Sequence, residues 1–127
     1  MARQIVSAQS SFADVVGYSR AVRVGDHVFV AGTAPVMADR SDPPHDPYAQ
    51  ARRCLEIIVD ALEEVGASPE HVVRTRIYLL DADDIDEVGR AHGEVFKDVR
   101  PVTTALVVKA LLDSRWIVEI EAEAVVA

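Results

Sequence analysis

Residues Val118–Ala124 read Val-Glu-Ile-Glu-Ala-Glu-Ala, an unbroken alternation of apolar and carboxylate side chains. Successive side chains of a β-strand point to opposite faces, so this run has one greasy face and one acidic face. A helix would scatter the glutamates around its circumference. The segment therefore demands a sheet with one covered and one open side, and it sets the reading of the rest of the chain.

Other strands follow from the same period. Tyr18–Val24 and His27–Ala31 are β-prone runs joined by Gly25-Asp26, a two-residue loop that suits a type II′ hairpin turn. Val72–Leu80 and Val102–Val108 read as strands. The last strand extends over Trp116–Val126, and a short first strand fits Gln4–Ser7. On Val72–Leu80, Arg74, Arg76 and Tyr78 share one face, and Val73, Thr75, Ile77 and Leu79 share the other. Tyr18, Arg20 and Val22 fall on the open side of the hairpin.

Two helices are expected between the strands. Asp46-Pro47 supplies an N-cap and a first-turn proline, and Ala51, Cys54, Leu55, Ile58, Leu62 and Val65 make an apolar stripe that Gly66 ends. Asp83 or Asp84 opens the second helix, with Ile85, Val88, His92, Val95 and Phe96 on one face and Arg100-Pro101 closing it. The turn formers from Gly32 to Asp46 mark an irregular loop, a common place for function. Two helices cannot cover both faces of so wide a sheet. The expectation is a single α+β domain over residues 1–127, with both helices on one face and the other face left to water or to another subunit. Arginines opposite glutamates on that open face would offset each other if their strands are neighbours.

Charge and composition narrow the function. Thirteen Lys and Arg stand against 21 Asp and Glu, a net charge of −8, which opposes a phosphate backbone and argues against nucleic acid as a partner. One cysteine cannot staple a fold, the first dozen residues lack the apolar run of a signal peptide, and no stretch approaches a membrane span. A cytoplasmic setting without membrane contact is expected.

Candidate chemistry is sparse. Glu119, Glu121 and Glu123 form either an arginine-paired solvated face or a carboxylate held in a subunit cleft, where like charges would raise a pKa toward general acid–base use. Asp81, Asp83, Asp84 and Asp86 read as acids favoured at a helix N-terminus; the central Gly and terminal Glu of an EF-hand are missing. His27, His45, His71 and His92 show no metal-ligand spacing, and Cys54 reads as a small core residue. From the residues alone, the reading stops at small-molecule binding at an interface, with the reaction open.

Six blocks in order resemble the reactive intermediate deaminase family (Rid, also called YjgF or L-PSP). They are Gly17-Tyr18-Ser19, Val28–Pro35, Ala49-Gln50-Ala51-Arg52, Val72-Val73-Arg74-Thr75, Arg100-Pro101 and Val118–Ala122. The resemblance implies a chorismate-mutase-like (bacillary) fold with a mixed sheet, and a homotrimer with a ligand cleft between subunits. It also implies cofactor-free hydrolysis of enamines and imines to carbonyl compounds and ammonia. By the same resemblance Glu119 positions the attacking water, Tyr18 completes the site, Gly32 and Ala105 offer backbone contacts, and Thr33 joins the binding set. Thr103 falls where the deaminases carry an arginine that grips the substrate carboxylate. Arg100, three residues upstream, either reaches the cleft or makes a turn; Arg90 and Arg115 are the other arginines that could stand in. The resemblance thus implies either hydrolysis of a C–N bond in a small metabolite or a ligand-binding, regulatory trimer without turnover. An endoribonuclease is a distant third.

Overall fold

The structure, a computed structural model, describes residues 2–127. Six strands form one sheet: β1 (Arg3–Val6), β2 (Ala21–Val24), β3 (His27–Thr33), β4 (Val72–Leu79), β5 (Val102–Val107) and β6 (Val118–Val125). Their order is β1-β2-β3-β6-β4-β5. All neighbours are antiparallel except β4 and β5, so the sheet is mixed. A parallel pair needs a crossover, which the helix α3 (Ile85–Phe96) supplies. The longer helix α2 (Pro47–Glu64) carries the chain from β3 to β4 and leaves a gap between them. The last strand fills that gap.

The alternation of β6 decides which face is covered. Val118, Ile120, Ala122 and Ala124 are buried beneath α2 and α3, together with Val28, Val30, Ile77 and Leu79. Leu55, Ile58 and Leu62 of α2 and Val88 and Phe96 of α3 close the core from above. The helices lie on one face, as expected. A third helix, the single turn α1 (Ala13–Val16), was not foreseen; it buries no residue and ends at Gly17, whose φ of 84° suits glycine.

Strand ends also differ from expectation. β2 pairs only from Ala21, because α1 occupies the chain just before Tyr18. Trp116 is buried but stands outside the β6 ladder, which starts at Val118. Val73 was expected on the covered face and is 45% exposed. The ladder explains it: Val72 pairs with Ala124 and Arg74 with Glu123, so Val73 is an extra residue bulged out of β4. The Gly25-Asp26 turn has a left-handed φ, 60°, at its glycine alone, as a type II′ turn requires.

Two polar devices hold the loop end of the sheet. Asp46 Oδ2 accepts a hydrogen bond from Ala49 N at 3.0 Å and caps α2 behind Pro47. Gln50, fully buried, donates to Pro44 O and Arg115 O at 2.8 Å each and accepts from Ile117 N at 2.9 Å. It ties the irregular 34–46 loop and the lead into β6 to the first turns of α2. Replacing Gln50 with Leu would take the partner from the part-buried Ile117 N–H and Pro44 and Arg115 carbonyls, at about 1–3 kcal/mol for each that water does not reach. Loss of the Asp46 cap costs about 1 kcal/mol. In urea titrations Gln50→Leu should therefore destabilise more than Asp46→Ala; an equal or smaller loss would show that the loop is held by other contacts.

Candidate functional site

The site grows out of an irregularity in β3. Pairing with β6 runs to Val30 opposite Ala122 and resumes with Thr33 opposite Ile120, so β3 spends one residue more than β6 over that stretch. The extra residue is a bulge at Ala31-Gly32, which turns the backbone toward the open face. There Gly32 meets Glu119. A Cβ on Gly32 would collide with Glu119 Oε2 and lie 3.3 Å from its Cδ. Gly32 is needed for this close approach, not for its φ. Glu119 stands opposite Tyr78 of β4. Gly32, Tyr78, Leu111, Leu112, Glu119 and Glu121 line a hollow of about 370 Å³ on the open face.

The three glutamates share a face but not an environment. Arg76 Nη1 lies 3.1 Å from Glu123 and 3.3 Å from Glu121, so the expected cross-strand ion pairs form. The Tyr78 hydroxyl donates to Glu121 Oε1, and this bond together with burial pushes the phenol above its ordinary pKa. Glu119 has no such partner among the described residues. Burial raises its pKa above the usual carboxylate value; the Arg20 charge pulls it down and Glu121 adds to the rise. The dominant cause is burial, not the like-charge repulsion that the sequence pattern suggested.

Arg20 organises the surroundings. Its Nη1 donates to Gly32 O at 2.8 Å and to Thr33 Oγ1 at 3.1 Å. Its guanidinium carbon lies 5.6 Å from the centre of the Tyr18 ring, a cation–π distance. Four of the expected residues, Tyr18, Gly32, Thr33 and Glu119, thus gather around one arginine. Thr33 is buried, and its hydroxyl is spent on Arg20 and on Ala31 O at 2.8 Å. The sequence placed Arg20 on the open side without giving it a role. The signal available was its alternation with buried Ala21.

The other expected residues lie elsewhere. Thr103 pairs with Thr75 and Ala105 with Ile77, and both partners face the helices. Thr103 and Ala105 therefore point to the face opposite Glu119, on an edge strand whose six residues are all exposed. Arg100 closes α3: its φ is 59°, its N–H donates to Phe96 O at 2.8 Å and its guanidinium to Lys97 O at 3.3 Å. Arg90 stacks over Tyr48 at 3.7 Å and pairs with Glu87, while Arg115 pairs with Asp42 and Asp113. None of these three lines the Glu119 hollow. Within one chain, then, Glu119 and Thr103 do not share a cavity.

Cys54 is buried on α2, and burial pushes its thiol far above the ordinary value, so no thiolate is available. Asp81 Oδ1 accepts from Asp83 N at 2.9 Å and caps a short turn before α3. Among the described residues no three His, Cys, Asp or Glu side chains come together in a way that could hold a metal.

Two variants test this geometry. Gly32→Ala must displace the Glu119 carboxylate, the free end of a flexible side chain, so it should cost little stability in melting curves while moving Glu119 out of place. Glu119→Gln should stabilise the protein at pH 7. Burial favours the neutral carboxyl, so ionisation costs stability as pH rises from the unfolded value of 4.5 through the raised folded value. Melting curves should show the gain at pH 7 and its disappearance below pH 4.5; a gain independent of pH would refute the buried-carboxylate assignment.

Comparison with known proteins agrees with this architecture. The chain is 44% identical over 119 residues to an uncharacterised protein of Streptomyces coelicolor, covering 94% of this chain and 89% of that one. It is 32% identical over 112 residues to a RutC family protein of Pyrococcus abyssi, covering 87% and 88%. A crystal structure of a YjgF/YER057c/UK114 family member from Mycobacterium tuberculosis superposes with a TM-score of 0.89 at 45% identity, covering 98% of this chain and all of that one. No helix among the described residues is long and apolar enough to cross a membrane. Residues 8–126 match the family model described as endoribonuclease L-PSP, and the chain belongs to that family, the YjgF or Rid family of the resemblance.

Proposed function

We propose that this protein is a cytoplasmic homotrimer that binds a small metabolite between subunits and hydrolyses an imine, enamine or related C–N bond. One observation supports this above the others. Glu119 is a half-buried carboxylate left without an ion-pair partner among the described residues, set against a glycine and beside an open hollow. A carboxylate whose pKa burial raises is a stronger base than a solvated one and is suited to take a proton from water.

The chemistry balances without a redox partner. Water adds to the carbon of C=N as Glu119 takes one of its protons. The nitrogen receives that proton to give the neutral carbinolamine; its hydroxyl proton then passes by way of Glu119 to nitrogen as the C–N bond breaks, so ammonia leaves and the hydroxyl oxygen becomes the carbonyl. An enamine first takes a proton on carbon and loses one from nitrogen to become the imine. Tyr18 and Thr103 orient the ligand, with Gly32 and Ala105 offering backbone groups. Because Thr103 and Glu119 lie on opposite faces of one sheet, they serve one ligand only when different copies supply them. That requirement, with exposed Phe29, Val102 and Leu106 on the open face, supports association of copies, and the family resemblance implies that their number is three.

A second reading, a ligand-binding trimer without turnover, is favoured by one feature. Thr103 is neutral, and a neutral hydroxyl lacks the charge-assisted bonds worth about 1.5–3 kcal/mol each that an arginine would give a carboxylate. RNA is not the proposed substrate: a net charge of −8 and a carboxylate-lined hollow oppose a phosphate backbone.

The test is ammonia release from 2-iminopropionate generated in situ by an amino-acid oxidase. Turnover should exceed the buffer rate, fall about 10²-fold or more in Glu119→Gln, and rise in Thr103→Arg. No acceleration, with ligand binding intact, would favour the non-catalytic reading. Light scattering should give three times the 13.8 kDa chain mass; a monomer would remove the intersubunit site.

A further inference from the structure

Thr75 is a fully buried hydroxyl in the middle of β4 with two partners at 2.8 Å, His92 Nε2 on α3 and Thr103 Oγ1 on β5. A hydroxyl has one proton and two acceptor positions, and the Thr75 proton is buried with these two partners alone among the described residues, so it is satisfied only when Thr75 donates to one neighbour and accepts from the other. The proton on His92 decides which. If Nε2 carries a proton, it donates to Thr75, Thr75 donates to Thr103, and the Thr103 proton is released. Its remaining acceptor within the chain is Pro101 O, at a long 3.4 Å. Thr103 then faces outward from an exposed edge strand as a hydrogen-bond donor. If Nε2 is bare, Thr75 donates to His92 and accepts from Thr103, which then offers lone pairs alone.

We propose that His92 and Thr75 are positioning residues that set the hydrogen-bonding polarity of Thr103, making it a donor for a carboxylate or carbonyl oxygen when Nε2 is protonated. This rests on the reading above that Thr103 lines the ligand site. The relay supplies what a lone threonine lacks, a fixed direction for its proton. The surroundings suit the role. His92 packs on Phe96 at 4.7 Å between ring centres, and it opens on a hollow that also holds Lys97 and Arg100. Burial lowers its pKa, so the ring is neutral at pH 7 and both tautomers are within reach. No acidic side chain lines that hollow to fix the ring in one state. The ligand class implied is a small molecule that presents an oxygen acceptor to the β5 edge, not one that presents a donor there.

The experiment uses pyruvate, the product expected from 2-iminopropionate, as the probe. Its affinity is measured for the wild type, Thr75→Val, Thr103→Val and the double variant, alongside ¹⁵N spectra of the His92 ring. Pyruvate should move His92 toward the Nε2–H form. Thr75→Val should weaken pyruvate about tenfold, Thr75→Ser should restore it, and the double variant should bind no more weakly than Thr103→Val alone. Should Thr75→Val fail to fold, His92→Leu against His92→Gln makes the same comparison, since glutamine can still donate to Thr75. If Thr103→Val weakens binding while loss of Thr75 or His92 does not, the relay is overturned and the site reading stands. If Thr103→Val has no effect, or the wild type does not bind pyruvate, both fall.

Discussion

Everything in this fold hangs on β6 lying between β3 and β4 in one register. A slip of one residue would turn Glu119, Glu121 and Glu123 into the helix-covered core and expel Ile120, Ala122 and Ala124. Burying three carboxylates without partners is far costlier than any gain from an alternative ladder. The same strand carries the hydrogen bonds of both halves of the sheet. It joins the β1–β2–β3 meander to the β4–α3–β5 crossover unit, and each half alone would leave an unpaired edge where β6 now sits.

Once the register is fixed, the glutamates cannot behave alike. Arg76 is opposite Glu121 and one guanidinium nitrogen reaches both Glu121 and Glu123, so those two share one cation. Glu119 sits at the end of the strand where β4 offers Tyr78 in place of an arginine, and Tyr78 is committed to Glu121. The β3 bulge then lets the backbone at Gly32 close over the carboxylate and shed water from it. Arg20 stays near enough to moderate the cost but gives its hydrogen bonds to Gly32 and Thr33. A carboxylate that is half-buried, without an ion-pair partner among the described residues and open to a hollow suits the general-base role proposed for it. The rest of the acidic face is ordinary sheet pairing.

What the sequence revealed follows from the range of each interaction. Periodicity along a single segment gave the strands, the covered face and the two long helices, and cap chemistry at Asp46 and Gly66 gave the limits of α2. The bulges at Ala31-Gly32 and Val73 were invisible because they are mismatches between two strands distant in sequence. α1 was missed because one exposed turn leaves no apolar stripe. Resemblance marked Gly32 and Glu119, but not that collision governs the one and burial the other. Arg20 and the Thr75–His92 pair were missed for the same reason: each matters through a partner on another element. Gln50 shows the limit well. It lay within a resembling block, yet its three buried hydrogen bonds to Pro44, Arg115 and Ile117 could not be read from its own neighbours.

The two groups of expected site residues lie back to back, and this bears on why such a chain would associate. Tyr18, Arg20, Gly32 and Glu119 belong to the open face around the centre of the sheet, whereas Thr103 and Ala105 belong to the covered side of an edge strand that the helices do not reach. A sheet a few ångströms thick separates them, and no side-chain motion within a chain can bring them to one ligand. The β5 edge is also the part of the protein least satisfied alone. Its outer hydrogen-bonding groups have no neighbouring strand in the sheet, and Val102, Leu106 and Val107 are each at least half exposed. An exposed apolar edge invites pairing with another copy. On the proposed reading, the contact that covers β5 is the same one that brings Thr103 of one copy to Glu119 of another. Stability and activity would then depend on one interface, and a ligand bound there would strengthen the assembly that creates its site.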